Sequence, residues 1–267
     1  MTFDMFQEYI EEHILEGWKS DVELDVAMVT KNNGVQLRGL YIKSKEMNVS
    51  PAIYLDEYYS YYLKGESLEE IIRRIREEYE WKISRVADYH FKLEKFEYVK
   101  DRIIYRLVNY KKNEEILEDC PYLKLYDLAL TFRWVAHSDD IGISTALVTN
   151  QEMEAWGISM PMDRSAIPMY IMTNRQEVNG ASVLLYDDVL QTFALKKKTD
   201  FYILPSSIHE VILVPSDRID NPSDLFTMVE DANRTVVALG DILSDSVYYY
   251  NREKNQIVPV TEEKRIV

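Results

Sequence analysis

The sequence predicts an α+β protein, with largely antiparallel sheets covered by helices. Three observations carry this. Hydrophobic periodicity switches along the chain between a 3.6-residue and a 2-residue repeat, so both element types are present. In the last third, apolar runs of strand length follow one another with one helix between, in the order β-β-α-β-β-α, which suggests an antiparallel sheet covered by helices on one side. Gly and Pro number only eight each among 267 residues, so most of the chain belongs to regular elements joined by short loops.

The elements follow in order. Phe3, Phe6, Ile10 and Ile14 recur at helical spacing and Gly17 stands where a C-cap belongs, which predicts a helix over about residues 3–16. Val22, Leu24, Val26 and Met28 then alternate with Glu23, Asp25 and Ala27, the pattern of a half-buried strand. The turn "KNNG" leads into a second strand through Val35, Leu37, Gly39 and Tyr41, because Asn and Gly tolerate positive φ. "LDEYYSYYLKG" reads as a short helix closed by Gly65, and Ser67 to Glu70 as a capping box opening a helix on Leu68, Ile71, Ile72 and Ile75. Beyond it, "VADYHFKLEKFEYVKD" reads as a helix, "RIIYRLVNY" as a strand, and "KKNEEILED" as a brief helix. "YDLALTFRWVA" reads as a long strand with "GISTALVTN" as its antiparallel partner, and Asn150 caps the helix "QEMEAWG".

In the C-terminal third, "MYIMTN", "ASVLLY", "DFYILPSS" and "EVILVPS" read as strands, with "DDVLQTFALKKK" a helix between the second and third. Asn221-Pro222-Ser223-Asp224 opens a last helix. Gly and Pro cluster in "GISMPMDRSAIPM", which sets a soft boundary between halves at residues 1–156 and 157–267.

Composition narrows the function classes. Hydrophobic residues make up 46%, enough for a sizeable core. A net charge of −15 opposes phosphate backbones and anionic lipid, so direct nucleic-acid binding is not expected unless a local basic patch overrides it. The run Arg73, Arg74 and Arg76 is surrounded by Glu69, Glu70, Glu77 and Glu78, as on an ion-paired helix face. One cysteine, Cys120, excludes an intramolecular disulfide and a cysteine-based zinc site. No window approaches a membrane span, and the acidic, amphipathic start does not read as a signal peptide, so a cytoplasmic protein is expected. Phosphate-cradling glycine motifs are absent, and no cofactor is expected.

Two constellations could carry chemistry. In "DFYILPSSIHEVILVP" two apolar runs flank Ser206, Ser207, His209 and Glu210. As chemistry, Ser206 or Ser207 would be a nucleophile with His209 as base. As structure, Pro205 ends strand pairing and the serines shape a hairpin turn, which suits the absence of neighbouring glycines better. The second is His137 with Asp139, which could join His209 and Glu210 around a divalent metal, or form a solvated turn. Twenty tyrosines, including "YYSYY" and "VYYYNR", suit half-buried packing and also interaction surfaces.

The stretch "MYIMTN…NGASVLLYDDVL…DFYILPSSIHEVILVP…ANRTVVALGDILSDSVYYYNR" resembles the uncharacterised bacterial family catalogued as domain of unknown function 5688, over most of the chain and most specifically over residues 168–251. The resemblance implies a bacterial cytoplasmic protein and brings no activity or catalytic residue with it. The expected role is therefore non-catalytic: protein binding or regulation, with another protein as partner. The alternatives are a metal-dependent hydrolase-like enzyme using His137, Asp139, His209 and Glu210, and an acidic inhibitor that mimics nucleic acid.

Overall fold

Thr2 caps the first helix, α1 (Phe3–His13), by accepting a hydrogen bond from the Met5 N–H at 3.3 Å. The computed structural model describes residues 1–18, 22–44, 50–86, 97, 100, 103–134, 146–149, 167–205 and 207–261. By its contacts the chain divides into two compact units: Met1–Lys31 with Val35–Glu94, and Asn32–Gly34 with Lys95–Val267.

In the first unit, β1 (Val22–Thr30), β2 (Gln36–Ser44) and β3 (Ala52–Tyr54) form an antiparallel sheet in that order. Helices α2 (Leu55–Leu63) and α3 (Leu68–Val86) complete the unit. The apolar repeats of the three helices meet the sheet in one core around Phe6, Ile10, Leu40, Ile53, Ile71 and Ile75. Gly65 ends α2 at φ +97°, a conformation that side chains resist, and Ser67 Oγ accepts from the Glu70 N–H at 3.3 Å to open α3. Arg73 and Arg74 make ion pairs with Glu70 and Glu77, as expected, and Arg74 pairs with Glu66 as well. Arg76 does something else. Its guanidinium donates to the carbonyls of His13, Ile14 and Glu16 at the end of α1, where helical carbonyls run out of intrahelical donors.

The second unit has two sheets. In the smaller, β4 (Ile103–Asn109), β5 (Tyr122–Leu125) and β6 (Leu128–Trp134) lie in the order β4-β6-β5, with the one-turn helix α4 (Glu114–Leu117) between β4 and β5 in sequence. The larger contains β7 (Ala146–Thr149), β8 (Tyr170–Asn174), β9 (Phe201–Leu204), β10 (Val211–Pro215), β11 (Tyr248–Asn251) and β12 (Gln256–Pro259), in the order β12-β11-β9-β10-β8-β7. Every neighbouring pair is antiparallel. Helix α5 (Val189–Lys197) precedes β9, and α6 (Ser223–Thr235) follows β10, opened by Asn221 Oδ1 accepting from the Ser223 N–H at 3.1 Å. Among the described residues no helix is long and apolar enough to cross a membrane.

The α+β class holds, and three details differ from the sequence reading. Ala181–Tyr186 is no strand; Gly180–Leu185 coil as a 3₁₀ helix. The run is buried residue after residue, so its apolar pattern has no period to distinguish coil from strand. Gly180 fixes the choice of path: a Cβ there would fall 2.1 Å from Thr173 Oγ1 and 2.4 Å from the His209 carbonyl oxygen. β7 pairs with β8, not β6, because β4 and β5 already occupy both edges of β6. Helices also cover the large sheet on both faces, not one. Phe201, Ile203 and Tyr248 pack with Leu190 and Ala194 of α5, whereas Leu204 and Val214 pack with Phe226 and Val229 of α6. The expected boundary at residues 156–157, the helix "QEMEAWG" and most of "VADYHFKLEKFEYVKD" lie outside the described residues.

Candidate functional site

The segment Asp200–Pro215 is an antiparallel hairpin. Phe201, Tyr202, Ile203 and Leu204 face Pro215, Val214, Leu213 and Ile212, and pairing stops where Pro205 offers no N–H. In the turn, Ser207 donates its N–H to the Glu210 carbonyl at 3.2 Å, and its Oγ accepts from the His209 N–H at 3.0 Å. A hydroxyl bonded to the backbone two residues on is a turn-forming device. Ile208 is buried and locks the turn into its surroundings, its N–H donating to the Asp241 carbonyl at 2.8 Å and its carbonyl accepting from Ala181 at 3.2 Å.

His209 is held at both ring nitrogens. Nδ1 accepts from the Asn179 N–H at 3.2 Å, and Nε2 lies 3.4 Å from Asp241 Oδ1. The acceptor role of Nδ1 assigns the ring proton to Nε2, pointing at the carboxylate. The His209 carbonyl accepts from Thr173 Oγ1 at 2.7 Å. The imidazole thus addresses Asn179 and Asp241, while Ser207 Oγ is engaged with the backbone. Burial pushes the Glu210 carboxyl up from its ordinary value; His209 opposes the shift and Glu177 adds to it.

Asp241 sits at the end of a 3₁₀ turn, Leu239–Asp241, pinned by amide side chains of the same unit. Asn33 Nδ2 donates to the carbonyls of Leu239 at 2.8 Å and Ile242 at 2.7 Å, and Asn109 Nδ2 to Leu243 at 3.1 Å. Asn33 and Asn113 exchange two further hydrogen bonds of 2.9 Å. Of the residues singled out in the sequence, His209, Glu210 and Ser207 share one turn; Ser206, His137 and Asp139 lie outside the described residues. Among the described residues no three His, Cys, Asp or Glu side chains come together as a metal site. Sequence reasoning missed Asp241 and Asn179. Neither carries a local signal, since each reaches His209 only through the fold.

A different surface opens on the small sheet. Tyr105 and Phe132 stand opposite each other on β4 and β6, rings 5.9 Å apart at 86°. Further along the same face Leu107 and Leu128 are buried in the core, but Tyr105, Phe132 and Leu123 are 43%, 36% and 60% exposed. One face of this sheet is therefore core around Leu107 and Leu128, and part-exposed at Tyr105, Phe132 and, on the edge strand β5, Leu123.

These features define an α+β protein with a well-built hairpin turn and a part-exposed aromatic pair on its small sheet. The chain belongs to the Family of unknown function (DUF5688), whose profile matches residues 3–162 and 160–252. No curated protein and no solved structure matches it.

Proposed function

We propose that the chain is a non-catalytic binding module that engages another protein through the open end of the β4–β6–β5 face. The observation that carries this reading is the exposure of Tyr105, Phe132 and Leu123 together on one sheet face. Clustered aromatic and aliphatic side chains on a rigid sheet lose little conformational entropy on docking, and such patches mark interaction surfaces. Two features of the turn support a non-catalytic role: the His209 ring is engaged at both nitrogens and Ser207 Oγ at the backbone.

Photo-crosslinking in cells of the native host tests this. A photoreactive phenylalanine analogue is placed at Phe132 in one sample and at Leu195, also exposed but on α5, in another. The expected result is one protein captured from position 132 and not from 195, with capture lost when Tyr105→Glu is added. Equal capture from both positions, or none from 132, overturns the reading.

A further inference from the structure

In a chain with 46 acidic residues, no residue of β4, β5 or β6 is acidic. The three cations of these strands all lie on one face, the one opposite Tyr105 and Phe132. The registers place Arg106 beside Thr131, Arg133 beside Ile104, and Lys124 beside Ala129, so the three share a face with Tyr122. Lys124 is occupied, its Nζ 3.6 Å above the Tyr110 ring. Arg106 and Arg133 are diagonal neighbours on adjacent strands, a relation that sets residues about 7–8 Å apart and their Cβ atoms somewhat closer.

Arg106 is the anomaly. Its Nε is sealed from solvent with no hydrogen-bond partner, and the guanidinium makes no ion pair with any described residue. A mostly buried charge ordinarily has a counter-ion, because desolvation without one is costly. The surroundings supply another cation instead. Burial and then Arg133 lower its pKa to about 10, opposed only by Asp241, whose Oδ1 is turned to His209 Nε2. Two guanidiniums on one face match the charge and fork geometry of a doubly charged oxyanion better than that of a single carboxylate.

We propose that this face binds a phosphate-class dianion, inorganic phosphate or a phosphomonoester, with Arg106 and Arg133 as its two guanidinium donors. The inference is independent of the protein-docking face, which lies on the other side of the same strands.

The test uses the full chain in a chloride buffer of fixed ionic strength. Binding of inorganic phosphate and of phenyl phosphate is followed by calorimetry and by the melting temperature. Expected are saturable binding and a rise in melting temperature that chloride does not reproduce. Arg133→Gln, a change at an exposed side chain, weakens binding at least tenfold, and Arg106→Met abolishes the rise. Without ligand, R106M melts at or above the parent, because an unpaired buried charge has been removed. Tighter phenyl phosphate assigns an esterified ligand, and tighter inorganic phosphate a free one. Unsaturable binding, R133Q indistinguishable from the parent, or an equal response to chloride overturns the proposal; R133Q keeps this decisive even if R106M fails to fold.

Discussion

The tyrosines of β11 and Tyr105 of the small sheet are the same residue in opposite circumstances. On β11 every phenol hydroxyl meets an acceptor. Tyr248 donates to Asp127, Tyr249 to Asp200 at 2.7 Å, and Tyr250 to Asn255 at 2.8 Å. The rings alternate between the two cores of the large sheet, so the hydroxyl is the only part that needs a polar partner. Tyr105 on β4 instead meets the edge or face of Phe132 and keeps much of its surface in water. A tyrosine is thus closed into the structure where an acceptor is placed for its hydroxyl, and stays part-exposed where none is.

Four changes would break or sharpen this contrast. The largest effect is expected from Asp127→Ala. Asp127 accepts from Ser244, Ser246 and Tyr248 at once, so its loss leaves three hydroxyls without their acceptor. A loss of about 3 kcal/mol is expected in urea denaturation, and a loss under about 1 kcal/mol would mean that the carboxylate does not organise β11. Tyr249→Phe comes next, at about 1 kcal/mol. Burial, reinforced by Asp200, pushes the Tyr249 hydroxyl up to about 12. Its folded value exceeds its unfolded value, so the stability it adds is complete below pH 10 and lost as pH rises toward 12. The variant should show a shallower alkaline decline than the parent, and an unchanged decline would place the titration elsewhere.

Glu210→Gln is expected to stabilise, by well under about 1 kcal/mol because water screens the part-exposed carboxylate. The folded carboxyl titrates above its ordinary 4.5, so the parent's relative stability is present below that pH and lost as pH rises through the folded value. The gain from Gln should therefore appear at pH 7 and vanish at pH 4. Smallest of all is Phe132→Ser on the open face, within about 0.5 kcal/mol of the parent by thermal melting. A large loss there would show that the patch belongs to the core.

What could be read in the sequence follows from how local each signal is. The β9–β10 hairpin was legible because Pro205 must end a ladder and Ser207 can bond the backbone two residues on. The alternation of Tyr248, Tyr249 and Tyr250 between faces needed only the period of a strand. The strand expected over Ala181–Tyr186 failed because burial on every side erases periodicity, and Gly180 is dictated by Thr173 and His209, which sequence spacing does not bring near. The partner of β7 was hidden for a related reason: edge availability is a property of the assembled sheet. Asp241 was one acid among 46 until the fold set it beside His209, and Arg106 was one arginine in a strand until the lack of a counter-ion among the described residues could be seen.

The amide of Asn33 has one more consequence, for the order of folding. Its hydrogen bond to Leu239 joins residues 206 positions apart, and the one to Ile242 joins residues 209 apart. Contacts of such span carry the largest loop-closure entropy and slow a chain most. During synthesis Asn33 is made 206 residues before Leu239, and until then its amide donates to water instead. The turn that holds Asp241 against His209 therefore gains these two hydrogen bonds only through a contact of very long span.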